Sequence, residues 1–272
     1  MALGTLGKKV SDALSQTIKG AGDLGQSTMK VARTTVVEGL HGAGDIVSAT
    51  VDVTSDTLAG AIHAAGQVGA ELGTTVKGAV VGTIQGLGEV TTVTAGVVSD
   101  TIRAAIRGTT EVGGDVNQAA RSAAEGALST TKSVGLGLED ATFGVARGAI
   151  LGAKETGADL AAIAKSTIEG TIAGAKDAGE DVIDAARSTA HGTVSGTAEV
   201  GGDLEAVARS LVEGAIDGAK ATAVNTEEAA SAAATGAVEA AREVSESAVD
   251  AVTRAVSGTI SGVKVVIKEP FR

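Results

Sequence analysis

Cysteine, tryptophan and tyrosine are absent from this chain, proline occurs once, and aromatic residues make up 1% of it. Without cysteine there is no disulfide framework, no thiol nucleophile and no cysteine-ligated metal. Two phenylalanines cannot anchor a conventional core, which draws much of its buried area from large rings. Long hydrophobic runs are missing too. A membrane helix needs about 18 or more apolar residues, and the nearest approach, Gly78 to Ser99, carries Glu89 and many threonines and glycines. The opening MALGTLGKKV has no basic stretch ahead of an apolar run, so it is read as carrying no signal peptide, and an intracellular, cytoplasmic, surface-associated location is expected. Positive charge is also in short supply. A net charge of -11 argues against a nucleic-acid partner, which requires a basic stripe. It argues equally against electrostatic recruitment to an acidic bilayer.

What is present is small and apolar. Glycine supplies 39 of 272 residues and hydrophobic residues 43%. The mean hydropathy of +0.25 is too high for a typical disordered chain. The order of these residues is strictly periodic. Gly170-Thr171-Ile172-Ala173-Gly174 returns every 22 residues, as Gly82 to Gly86, Gly148 to Gly152, Gly192 to Gly196, Gly214 to Gly218 and Gly258 to Gly262. Its central aliphatic position never misses a step: Ile18, Leu40, Ile62, Ile84, Ile106, Leu128, Ile150, Ile172, Val194, Ile216, Val238, Ile260. Such self-similarity marks a repeat architecture. It divides the chain into a lead-in (1–10), a repeat region (11–263) and a tail (264–272) that holds the sole proline and could be a terminal cap or a short strand.

Each unit splits into two related halves of 11 residues, and 11 residues over three turns is close to a relaxed α-helix. On such a helix the charged positions fall in one arc and the apolar or small positions in the complementary arc. One border of the polar arc is basic (Lys154, Lys165, Lys176, Arg187, Arg209); the other alternates between Asp (Asp115, Asp159, Asp181, Asp203) and the glycine that opens each GxxxG. Helices lying side by side would match these borders if they ran parallel, with Gly82, Gly86, Gly148, Gly152, Gly170, Gly174, Gly192, Gly196, Gly214, Gly218, Gly258 and Gly262 admitting close backbone contact. The fold expected is therefore all-α, one long amphipathic helix or several, packed on copies of itself or on an apolar surface. A β-solenoid with 22-residue coils is the competing fold, on the strength of the β-rich stretch Glu89 to Val98. The pairs Gly113-Gly114 and Gly201-Gly202, each followed by Asp, resemble a turn and an N-cap. Because Val112 and Val200 keep the apolar phase, a continuous helix of about 400 Å with weak points is favoured over a hairpin at each unit.

No catalytic constellation emerges. No serine lies in GxSxG, and no glycine-rich loop carries the Lys-Ser/Thr of a P-loop. His41, His63 and His191 read as polar-face residues, and the Asp column as N-caps or a solvated face rather than a calcium ladder. The expectation is a non-enzyme without cofactor or metal.

Units such as GTIQGLGEVTTVTAGVV and GTIAGAKDAGEDV resemble the 11- and 22-residue amphipathic repeats of perilipin-type lipid-droplet coats and exchangeable apolipoproteins, in period and composition, from Ser11 to Val263. The resemblance implies a non-catalytic coat on lipid or another hydrophobic surface, with the aliphatic column facing that surface. The alternative is a self-assembling filament, sheet or tube of parallel helices, a homo-oligomer held by its GxxxG edges. A cargo-binding solenoid is a third class.

Overall fold

The computed structural model describes residues 3–18, 23–43 and 46–268. Among them it forms α1 (Thr5–Ile18), α2 (Leu24–His41), α3 (Ile46–Val68), α4 (Leu72–Val90), α5 (Ala95–Glu111), α6 (Val116–Val134), α7 (Leu138–Thr156), α8 (Leu160–Ala178), α9 (Val182–Glu199), α10 (Leu204–Thr222), α11 (Thr226–Val244), α12 (Glu246–Val256) and a closing hairpin of β1 (Gly258–Ile260) and β2 (Val263–Val265). There is no β-solenoid. The β-rich stretch Glu89 to Val98 is the end of α4, a short connection and the start of α5, capped by Thr94.

The favoured continuous helix is corrected: the chain reverses once per unit. In the most regular repeats, 19-residue helices alternate with three-residue turns. Between α7 and α8 the turn is Gly157-Ala158-Asp159. Gly157 adopts the left-handed conformation at φ 70°, which costs it nothing because it has no Cβ, and its N–H donates to the Ala153 carbonyl. Asp159 then accepts from the N–H groups of Ala161 and Ala162. Asp115, Asp181, Asp203 and Asn225 do the same for α6, α9, α10 and α11. The aspartate column is thus a column of N-caps. Apolar phase survives the turns because α4 to α11 are all 17–19 residues long. A strict period keeps its column whether the rod continues or folds back.

Consecutive helices run antiparallel, and from α1 to α9 the more extensive contacts join a helix to the next but one. The odd-numbered helices therefore form one layer and the even-numbered helices another, parallel within each layer. Helices α4, α6, α8 and α10 begin at Leu72, Val116, Leu160 and Leu204, 44 residues apart, so the structural repeat is a hairpin of two sequence repeats. The core lies between the layers, a ribbon of Ala, Val, Ile and Leu running the length of the stack. Buried threonines fit this small-residue interior because several return their hydroxyl to their own helix, as Thr193 does to the Thr189 carbonyl at 2.7 Å.

The ends of the chain depart from the sequence division. Residues 5–10 are helical and belong to α1. Ile260 lies in β1, not in a helix, and the tail begins in β2 and runs on along α11. Pro270 and Phe271 lie outside the described residues.

Candidate functional site: the two edges of each helix

The residues of the aliphatic column face the chain's own helices. Leu40, Ile62, Ile106, Leu128, Ile150, Ile172, Val194 and Ile216 are fully buried; Ile84, Val238 and Ile260 are nearly so. The side chain of Ile18 lies outside the described residues.

From α3 to α11 the helices have a glycine edge and a carbonyl edge, and within a layer the glycine edge of one seats on the carbonyl edge of the helix before it. A Cβ at Gly214 would lie 2.6 Å from the Lys165 carbonyl oxygen, and one at Gly174 2.5 Å from that of Glu125. Gly170 and Gly236 sit closer still, on the carbonyls of Arg121 and Arg187, and Gly82, Gly86 and Gly148 seat on Met29, Arg33 and Ser99. Gly152, Gly192 and Gly218 approach side chains or Cα atoms at 3.0–3.3 Å. Gly196 has ordinary spacing, 3.6 Å to Ile150 Cβ. Gly258 and Gly262 are a correction. They sit at φ 93° and 81° in the β-hairpin with open space around them, and make no helix contact.

The charge borders pair as parallel packing requires, inside one chain. Lys77 meets Glu125 at 2.7 Å, Arg121 meets Glu169 at 3.2 Å, Lys165 meets Asp217 at 2.8 Å and Arg147 meets Glu199 at 3.4 Å, each joining a helix to the next but one. Arg103–Glu155 and Arg187–Glu239 repeat the arrangement. Hydrogen bonds to these carboxylates raise the pKa of Arg103, Lys165 and Arg187. Glu169 is pushed upward by burial, against the opposing pull of Arg121 and Lys165. Lysines extend the pattern to helix ends: Lys132 donates to the Ala178 and Gly179 carbonyls at 2.7 and 2.8 Å, covering the acceptors at the end of α8.

His41 closes α2 in the even layer, and His63 lies in α3 of the odd layer beside Gln67. His191 faces Glu243 at 3.2 Å. Among the described residues no three His, Cys, Asp or Glu side chains gather as a metal-binding group, and no helix is long and apolar enough to cross a membrane. The open surface offers shallow grooves. One of about 790 Å³ crosses the odd layer past Phe143, Arg187 and His191, and one of about 810 Å³ runs between α1 and α2 past Leu6, Val31 and Gly39.

Two features go beyond the sequence reading, which for the tail left a terminal cap and a short strand open. Ala223 takes the left-handed turn position that glycine holds elsewhere, at φ 55°. The tail crosses α11, where Val266 N–H donates to Ser231 Oγ at 3.0 Å and Lys268 N–H to Thr235 Oγ1 at 3.1 Å.

This geometry defines the chain as a nearly all-helical repeat protein. No protein family matches it and no curated protein matches it. The resemblance to perilipin-type coats and apolipoproteins therefore has no counterpart at the level of a family. Solved structures do match. One is the crystal structure of a de novo designed helical repeat protein, 27% identical, with a TM-score of 0.39, covering 58% of this chain and 90% of that chain.

Proposed function

We propose that the protein is a non-catalytic structural scaffold: a two-layered helical rod that holds its outer surfaces at fixed spacing, rather than a coat that folds on lipid. The observation that carries this reading is the burial of the aliphatic column against the chain's own helices. The coat reading drew its force from a broad apolar face in need of a cover, at roughly 25 cal/mol per Å² buried. Here the neighbouring helices supply that cover. Among the described residues, the large hydrophobic side chains left exposed are scattered: Val51, Phe143, Val244 and Val266. Scattered apolar residues are normal on soluble surfaces and do not build an interface. The GxxxG and charge borders that would join copies in a filament are used between helices of one chain, which favours a scaffold made from a single molecule.

Circular dichroism of the purified protein, with and without a triolein–phospholipid emulsion, tests the proposal. The scaffold gives high helicity and a cooperative melt in buffer alone, with no gain on adding emulsion. A chain of low helicity that becomes helical on the emulsion would overturn the scaffold and favour the coat.

A further inference from the structure

Any stack built by seating a glycine edge on a carbonyl edge has two open ends. Its first helices offer unused glycine edges, and its last offer unused carbonyl edges. In principle a second copy could continue the stack indefinitely. We infer that this chain closes both ends against copies of itself, by a different device at each.

At the first end the device is bulk. The residue at the centre of the glycine edge recurs every 22 positions. In α3 to α11 it is Gly60, Gly82, Ala104, Gly126, Gly148, Gly170, Gly192, Gly214 and Gly236, and all are buried under the helix before. The same position in α1 and α2 holds Gln16 and Glu38, both exposed. These are the two helices with no predecessor in their layer. A side chain of that size where Gly170 requires a bare Cα prevents another helix from seating. The acidic border is missing there too. Glu125 and Glu169, which receive Lys77 and Arg121, stand at a position that is Val37 in α2.

At the last end the device is a strap. Ser231 and Thr235 of α11 stand 44 residues after Arg187 and His191, whose side chains reach forward from α9 to Glu239 and Glu243 of α11. In α11 both hydroxyls are taken by the backbone N–H groups of Val266 and Lys268, so the chain's own final segment lies where a next helix would dock. In the even layer α10 is covered by α12, an 11-residue helix without glycine, and Arg209, 88 residues after Arg121, turns back to Glu213 of its own helix at 3.1 Å. Ser257 stands where Glu169 received Arg121.

The inference rests on the scaffold reading and has a separate test. Sedimentation velocity is run on the full chain, on Gln16→Gly with Glu38→Gly, on Val266→Pro with Lys268→Pro, and on all four changes together. The prolines remove the two strap donors. The full chain and both partial variants are expected to sediment as a monomer of 26.3 kDa from micromolar to near-millimolar concentration. The combined variant is expected to form end-to-end oligomers that grow with concentration. Growth of the unmodified chain, or of either partial variant, would overturn the inference, as would a combined variant that stays monomeric with its helicity intact. Should the prolines lower helicity, Ser231→Ala with Thr235→Ala removes the acceptors instead. Loss of helicity in the unmodified chain without lipid would strike the scaffold reading, whatever the sedimentation shows.

Discussion

One methyl group decides whether neighbouring helices in a layer can meet. At Gly170 a Cβ would overlap the Arg121 carbonyl oxygen, an atom held by its own helix and unable to move aside. Gly170→Ala is therefore expected to destabilise the protein by about 1–3 kcal/mol, the usual cost of overpacking. Gly196 belongs to the same GxxxG series, but its Cβ would find ordinary contact with Ile150. Gly196→Ala is expected to be neutral or to stabilise by up to about 1 kcal/mol, because alanine is the better helix former. Urea unfolding of the two variants side by side checks the contrast. Sequence position alone identified the glycine edge but could not grade it, because the grading depends on which atom of the neighbouring helix lies opposite. The pattern also misled at Gly258 and Gly262, where the spacing persists after the helices have given way to a hairpin.

At the scale of the element, the turn carries the architecture. Where the turn is regular, a left-handed residue, a linker and a capping side chain reverse the chain in three residues, and most of these turns use glycine first. Ala223 is the exception, and an L-residue in that conformation costs about 1–2 kcal/mol. Part of that cost is offset because glycine loosens the unfolded chain by about 0.4–1 kcal/mol. Ala223→Gly is thus expected to raise stability by some tenths to about 1 kcal/mol, read as a shift in the denaturant midpoint at unchanged slope. Gly113-Gly114-Asp115 and Gly201-Gly202-Asp203 showed both halves of this turn in the sequence. The rod was nonetheless expected to run through them, since Val112 and Val200 kept phase. A fixed repeat length preserves phase through a reversal as well as through a straight helix, so phase could not distinguish the two. The helices and their buried arc were legible because 3.6-residue periodicity reports them directly; the reversals were not.

At the scale of the whole molecule, the repeating quantity is the hairpin. Excising 116–159 joins Asp115 to Leu160, restores an N-cap and brings α8 into the place of α6 with Gly170 where Gly126 stood. That 44-residue deletion is expected to fold cooperatively with a smaller unfolding enthalpy, which scales with chain length. Excising only 138–159 exchanges the layers for every helix that follows and separates basic rows from their acids, such as Arg121 from Glu169. Its product is expected to melt lower and more broadly than the longer deletion, as calorimetry would record. The parallel pairing of charge borders was legible in the sequence; that it would close within one chain was not, because the same edges serve copies and repeats alike.

The next-but-one contact has a consequence for how the molecule is made. A helix finds its partners among the few dozen residues that left the ribosome just before it. Nothing synthesised late is needed to complete what emerged early, apart from the final strap over α11. The nascent chain can add one finished hairpin after another as it is translated, with little greasy surface waiting in the open.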